Sequence, residues 1–304
     1  MATVPRGFHM QYLLSSSAAA KPEAERPETM QAKERELKRV MESAALAAGR
    51  AIMAVHNTGP DVHFKPDSSP VTQADEEAES VILKALARYF PDIPVVAEEA
   101  VAAGRVPDIS GGLFFLVDPL DGTKEFVAGR NEFTVNIALI ESDAPIAGIV
   151  YAPALASGFI AVDGRAERFT VADGHTLANR QDIGCRGRGK ALTAVASRSH
   201  DTPETARFLD DHGIEACTAI GSSLKFCLVA EGLADVYPRF SRTMEWDTAA
   251  GDAVLRAAGG QTHTLDGASL AYGKRNQLHD ADFANPNFIA SGADWRREAG
   301  GVIK

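Results

Sequence analysis

One stretch of the chain concentrates residues able to do chemistry: Leu116-Val117-Asp118-Pro119-Leu120-Asp121-Gly122-Thr123-Lys124-Glu125-Phe126. An apolar run ends in a carboxylate, a proline, and a second carboxylate followed by glycine. Pro119 and Gly122 force the chain to turn, so Asp118 and Asp121 can converge on one point, with the Leu120 carbonyl as a further oxygen donor. Hard oxygen donors in that number suit Mg²⁺. A calcium-binding EF-hand loop is excluded, because the twelfth residue counted from Asp118 is Gly129 rather than Glu. Taken alone, the segment also reads as an Asp-Gly turn between strands.

Two further acidic points occur in comparable contexts. Glu98-Glu99 closes the apolar run Pro94–Ala97, where adjacent like charges, if buried, would be relieved by a divalent cation. As a solvated pair they need no such partner. Asp247 follows Glu245-Trp246 and opens a helical stretch, where it can serve as an N-cap, bind metal, or do both. That helix N-terminus would also favour a phosphate nearby. Asp75 sits where a proline-bearing loop feeds a helix. Facing Thr123, it could accept a proton through the hydroxyl and so activate a water, since a threonine hydroxyl is too weak an acid to act alone.

These residues need elements to hold them. Val40, Met41, Ala44, Ala45, Ala48, Ile52 and Val55 recur at helical spacing from Leu37 to the stop at Asn57-Thr58-Gly59-Pro60, and Ala78, Val81, Ile82, Ala85, Leu86 and Tyr89 repeat the pattern. Short β-type runs follow at 94–97, 113–117, 134–140, 146–151 and 159–162. The second half alternates strands near 192–196 and 215–219 with helices near 203–212, 223–231 and 247–258. Arg180 to Lys190 reads as a loop between an N-terminal half, 33–185, and a C-terminal half, 186–304. Residues 184–190 mimic a phosphate-cradling loop, but Ala191 stands where a magnesium-binding Ser/Thr belongs, and a strand-like run follows in place of a helix. Residues 1–32 read as a disordered extension.

The 304 residues, with 45% hydrophobic and 24% charged, describe a folded globular chain of about two domains or one large unit. The formal charge of −10 is the wrong sign for general binding to nucleic acid. A phosphate-bearing ligand would instead meet clustered Lys/Arg or bound cations. No apolar run approaches the roughly 20 residues of a transmembrane helix. Three cysteines without Cys-x-x-Cys spacing argue against a disulfide framework, so a cytoplasmic location is expected.

The ordered set Ala97-Glu98-Glu99, Asp118–Thr123 and Trp246-Asp247-Thr248-Ala249-Ala250-Gly251 resembles the inositol monophosphatase superfamily of lithium-sensitive, magnesium-dependent phosphatases. The continuation Asn131–Ile140, with Ser197-Arg198-Ser199-His200 and Gly221-Ser222-Ser223-Leu224-Lys225-Phe226-Cys227, is similar to the bacterial 3′(2′),5′-bisphosphate nucleotidases. The resemblance spans roughly Leu37 to Phe288. It implies an α/β (α+β) fold, a layered α-β-α-β-α sandwich. It also implies Glu98, Asp118, Leu120 (through its carbonyl), Asp121 and Asp247 as ligands of two or three Mg²⁺, with Asp75, Thr123 and Glu98 as the catalytic group. The implied substrate is adenosine 3′,5′-bisphosphate or its sulfated derivative, in a sulfur-assimilation context. Gly122, Thr123, Ser197, Arg198, His200, Ser222, Lys225, Arg239 and Asp247 would contact it: Ser222, Lys225 and Arg239 at the distal phosphate, His200 near the base or ribose. The expected partner is this small molecule, with the chain a monomer or homodimer.

Two other readings stay open. One is an inositol monophosphatase or fructose-1,6-bisphosphatase of the same superfamily, which shares the metal motifs. The other is a non-catalytic phosphonucleotide-binding regulator, which would not need a water-activating pair.

Overall fold

The first helix, α1 (Glu28–Thr58), buries Leu37, Val40, Met41, Ala44, Ala45, Ala48 and Ile52 along one stripe, as their spacing requires. It starts inside the segment expected to be an extension, because Glu28, Met30, Gln31, Ala32 and Lys33 are good helix formers with an acidic residue in the first turn. The computed structural model describes residues 28–59, 62–64, 70–172, 176–187, 189, 191–197 and 202–295. A short hairpin of β1 (Val62–Phe64) and β2 (Pro70–Thr72) leads into α2 (Gln73–Tyr89). The Thr72 hydroxyl caps α2 by accepting from the Ala74 N–H, and the helix ends at Phe90 because Pro91 disfavours a helical residue before it.

Both helices pack on one face of a seven-stranded sheet. Its strands are β3 (Val95–Ala97), β4 (Leu113–Asp121), β5 (Thr134–Glu141), β6 (Ala144–Ala152), β7 (Ser157–Val162), β8 (Arg165–Ala172) and β9 (Thr176–Asp182), adjacent in that order. Only β3 and β4 run parallel. Strand alternation sends Phe115, Val117, Ile137, Leu139 and Ile149 toward α1 and α2, and Phe114, Leu116, Ala138, Ile140 and Val150 to the opposite face. Both faces are covered, so these strands are apolar almost throughout.

The opposite face packs on α6 (Leu224–Ala230) and α7 (Glu245–Ala257). A Cβ on Gly148 would fall 2.6 Å from the Ala250 carbonyl oxygen and 2.7 Å from the Ala253 Cβ, so glycine is what lets α7 lie against β6. Beyond these helices is a five-stranded sheet in the order β11-β10-β12-β14-β13, formed by β10 (Thr193–Ser197), β11 (Ala216–Ile220), β12 (Val236–Arg239), β13 (Gln261–Thr264) and β14 (Phe288–Ser291). Its far face buries Ala194, Val236 and Ile289 against Phe208 of α5 (Pro203–Asp211). The layers are therefore α1/α2, sheet, α6/α7, sheet, α5, the expected α-β-α-β-α sandwich.

The first sheet ends at Asp182 and the second begins at Thr193. Arg180 to Asp182, expected in a loop, continues β9, where Arg180 bridges Glu42 at 2.8 Å and Glu167 at 3.0 Å. The halves are not separate cores. Val195, Tyr237 and Phe288 of the second sheet join the same buried cluster as Phe114 and Val150 of the first, through α6 and α7. Among the described residues, no helix is long and apolar enough to cross a membrane.

Candidate active site

Asp118 and Asp121 are three apart, an odd spacing that would place them on opposite faces of a regular strand. The structure reconciles this with a bulge. Asp118 pairs with Asn136 and Asp121 with Thr134, so three steps on β4 match two on β5. Asn136 and Thr134 share a face, and the extra residue in Pro119-Leu120 brings both aspartates to it, toward α6 and α7. Gly122 then turns the chain with φ of 94°, a left-handed conformation suited to glycine, and α4 (Thr123–Val127) begins.

That turn aims Thr123 back at α2. Its hydroxyl lies 3.1 Å from Asp75 Oδ1 and 3.1 Å from the Leu120 carbonyl oxygen, so its one proton goes to either. Asp75 closes the α2 capping box, with Oδ2 accepting from the Thr72 N–H at 2.7 Å and the Thr72 hydroxyl at 2.8 Å. Burial pushes Asp75 up to about 6, with Glu98 adding to the rise and the Thr72 and Thr123 hydrogen bonds opposing it. Glu98 opens α3 (Glu98–Ala102), directly after β3, whose Ala97 pairs with Val117, so it stands beside Asp118. Glu79 of α2 holds this helix start by accepting from the Glu99 N–H at 2.8 Å.

Asp247 enters from the other side. It is not the N-cap of α7. That position belongs to Met244, whose N–H donates to Asp247 Oδ2 at 2.8 Å, so Asp247 reaches back from the first turn. The loop between β11 and α6 faces it. Ser223 Oγ lies 3.0 Å from Asp121 Oδ2 and also contacts the Asp247 carbonyl. Lys225 is buried, with Nζ donating to the carbonyls of Ser222 and Ile220, and burial pushes it down to about 8 although Asp121, Glu125 and Asp247 hold it charged. Arg239 is buried at the end of β12 and donates to the carbonyls of Ser241 and Arg242. Ser197 ends β10, paired with Ile220. Ser222 has φ of 54° and a buried hydroxyl without a hydrogen-bond partner among the described residues. Arg198 and His200 lie outside the described residues.

Asp75, Glu98, Asp118, Asp121, Thr123 and Asp247 are thus gathered at one end of the first sheet, next to the N-terminus of α7. Burial pushes Asp118 well above the ordinary carboxylate range, and the charges of Glu98, Asp121 and Asp247 push it further. Burial and then Asp121 and Glu98 do the same to Asp247, and burial raises Asp121 against the opposing Lys225. Such a set is poorly satisfied by the protein alone. Asp118 spends Oδ1 on the Leu120 N–H and Asp247 spends Oδ2 on the Met244 N–H, leaving the second oxygen of each without a donor among the described residues. As the side chains stand, no three carboxylate, imidazole or thiolate groups among the described residues are close enough to enclose one ion. The chemistry of the donors nevertheless fits a hard divalent cation: all are oxygens, several are buried, and their mutual repulsion is what a cation would remove.

Glu79, Asn136 and Ser223 were not singled out from the sequence. Glu79 lies within the α2 periodicity, Asn136 in an apolar strand, and Ser223 beside the serine that was chosen. Their partners are 15 to 102 residues distant, so only the fold could reveal them.

The profile of the inositol monophosphatase family matches residues 33–299. Layered fold, clustered carboxylates and this match define a phosphatase; the chain belongs to the inositol monophosphatase family. Within it, the chain sits with the CysQ proteins. It is 45% identical over 243 residues to the 3′(2′),5′-bisphosphate nucleotidase CysQ of Salmonella typhimurium, covering 79% of this chain and 94% of that protein. It is also 45% identical over 246 residues to the protein of the same name from Escherichia coli strain K12, covering 80% and 95%. Among solved structures, CysQ from Bacteroides thetaiotaomicron superposes with a TM-score of 0.68 at 36% identity, covering 85% of this chain and 97% of that one. The Thermotoga maritima IMPase, 24% identical with a TM-score of 0.65, covers 83% of this chain and 91% of its own and shares the fold.

Proposed function

We propose that the protein hydrolyses the 3′-phosphate of adenosine 3′,5′-bisphosphate, and of its 5′-sulfated derivative, to release phosphate. The observation that carries the reading is the contact of Thr123 with Asp75 beside Asp118, Asp121 and Asp247, in a chain 45% identical to CysQ nucleotidases. Glu98, Asp118, Asp121, Asp247 and the Leu120 carbonyl would hold Mg²⁺. When bound, the cations supply charge neutralisation for the phosphoryl group and acidify water.

The chain's own residues do the rest. The Thr123 oxygen accepts a proton from the attacking water while its own proton passes to Asp75 Oδ1, which makes Asp75 the final acceptor. The paired donors of Thr72 keep Asp75 Oδ2 occupied, so Oδ1 is the oxygen left to receive that proton. The α7 N-terminus favours the phosphate. Lys225 and Arg239 supply positive charge for the second phosphate, with Gly122, Ser197, Arg198, His200 and Ser222 completing the substrate's surroundings.

The deciding experiment is phosphate release with Mg²⁺ from adenosine 3′,5′-bisphosphate, inositol 1-phosphate and fructose 1,6-bisphosphate, each with an EDTA control. The expected result is a large kcat/KM advantage for the nucleotide. Preference for a sugar phosphate would overturn the specificity, and no release from any of the three would overturn the activity.

A further inference from the structure

Two buried polar side chains brace the carboxylate cluster without taking part in the proton path. Asn136 of β5 lies directly across from Asp118 and is fully buried, with Nδ2 2.9 Å from Ser223 Oγ and 3.5 Å from Asp121 Oδ2. Ser223, 2% exposed, precedes α6, and its Oγ is 3.0 Å from Asp121 Oδ2 and 2.5 Å from the Asp247 carbonyl oxygen. A single hydroxyl therefore touches the first sheet through Asn136 and Asp121, and the first turn of α7 through Asp247.

The donor count gives this contact a direction. A serine hydroxyl carries one proton and two lone pairs. Accepting from Asn136 leaves its proton for the Asp121 carboxylate or the Asp247 carbonyl. The amide orientation follows from the neighbouring charge, because turning Oδ1 toward Asp121 would set two acceptors against each other. Asn136 Oδ1 is left buried without a partner, which costs stability and gives the core nothing in return. The adjacent Thr134 Oγ1 is also buried without a partner, so it offers a matched polar group outside the chain of contacts.

We infer that Asn136 and Ser223 are positioning residues, a neutral strut that fixes Asp121 and Asp247 relative to each other across the two halves and so sets the affinity of the site for its divalent cation. This rests on the reading of the cluster as a cation site. Among the described residues, Ser223 is the neutral side chain that joins the Asp121 carboxylate to the backbone carbonyl of Asp247, and removing it lets β4 and the first turn of α7 part.

The test is direct Mn²⁺ binding to the metal-free full chain, followed by electron paramagnetic resonance, for wild type, Ser223→Ala, Asn136→Ala, the double variant and Thr134→Val. Loss of a group that orients a metal ligand typically weakens affinity ~10- to 100-fold. Each single alanine variant is expected to raise Kd by at least ~10-fold. The double variant should bind little worse than the weaker single one, because the two side chains act as one chain of contacts. Thr134→Val should keep the wild-type Kd. Wild-type-like Kd for Ser223→Ala, multiplied losses in the double variant, or an equal loss in Thr134→Val would each overturn the strut. Should Asn136→Ala fail to fold, the contrast between Ser223→Ala and Thr134→Val decides alone. A wild-type chain that binds no Mn²⁺ would remove the cation-site reading and the strut together, a different result from equal binding by wild type and variants.

Discussion

Replacing Thr123 with valine removes one hydroxyl and keeps the shape of the side chain. In the structure that hydroxyl lies 3.1 Å from Asp75 Oδ1, and among the described residues it is the hydrogen-bond donor to that oxygen. A proton relay built on it contributes ~10²- to 10⁴-fold, which is roughly 3 to 5 kcal/mol of barrier. The variant should therefore lose at least ~10²-fold in kcat with little change in KM, whereas Thr123→Ser, which keeps the oxygen, should stay near wild type. The pH profile supplies a second readout. Asp75 accepts a proton only when ionised, so activity rises with pH through its pKa. Burial and the charge of Glu98 push that pKa up to about 6, and a cation beside Glu98 offsets part of the rise, so the acid limb belongs at or below about 6. With the hydroxyl gone the water's proton has no path to Asp75 Oδ1, so the residual activity of the valine variant should lose the acid limb that Asp75 sets. Steady-state phosphate release at saturating Mg²⁺ measures both. A valine variant with kcat within about threefold of wild type and an unmoved limb would refute the relay.

Three other outcomes follow from the same geometry. Asp75, Asp118 and Asp247 have folded pKa values above their unfolded ones, so the folded chain binds more protons between the two values and loses stability as pH rises through that interval. For Asp75 the interval runs from 3.8 to about 6. Thermal melts in EDTA should show Tm falling across it and Mg²⁺ flattening the slope, and a flat EDTA profile would contradict the cluster's electrostatics. At pH 8, one thiol should react quickly with an aromatic disulfide reagent, since Cys217 is exposed while burial pushes Cys185 up to about 11 and holds Cys227 well above the ordinary thiol range; two equally fast thiols would contradict the burial of the others. Gly148→Ala sets a Cβ 2.6 Å from the Ala250 carbonyl oxygen, an overpacking that costs ~1–3 kcal/mol and lowers Tm by several degrees; an unchanged Tm would show that α7 is less tightly seated.

The two long helices and most strands of the first 162 residues were legible because apolar spacing there is regular, the short helices α3 and α4 were not, and the second half was readable where helix and strand alternate. β8 and β9 were missed for a physical reason. Arg165, Glu167, Arg168, Asn179, Arg180 and Gln181 belong to the sheet's exposed end, where few positions are buried and neither strand shows an apolar run. β12, β13 and β14 are only four residues each, too short to show a period. At the site, the metal-type carboxylates announced themselves by their motifs. The bulge that brings Asp118 and Asp121 to one face did not, because it is defined by pairing with β5. Asn136 and Glu79 were hidden because each is one polar residue in a segment that otherwise reads as core. The reading of local caps and turns held in part: Asp75 does close a capping box, whereas Asp247 lies in the first turn of α7 and accepts from the N–H of the N-cap Met244, and Asp121-Gly122 leads into α4 rather than straight into a strand. Local structure and site use different oxygens of the same carboxylates.

That division of labour explains why the cluster sits at the start of the middle-layer helix. α7 is covered by both sheets, so its N-terminus is the place that segments from either sheet can reach: β4 delivers Asp118 and Asp121, the turn after β11 delivers Ser223, and the first turn of α6 delivers Lys225. A helix start also supplies unpaired N–H groups that favour anions, partly offsetting the repulsion among the carboxylates before any cation arrives. The remaining repulsion must be borne by packing. Gly148 and Gly251 provide it by letting α7 close on β6 and on Phe226, where a Cβ on Gly251 would come within 2.8 Å of the ring. The axial position of α7, and hence the distance from Asp247 to Asp121, is then set by backbone contact with neighbours on two sides. A small displacement there would be felt at the carboxylates before it unfolded the chain, so Gly148→Ala should lose more activity well below its Tm than its stability alone predicts.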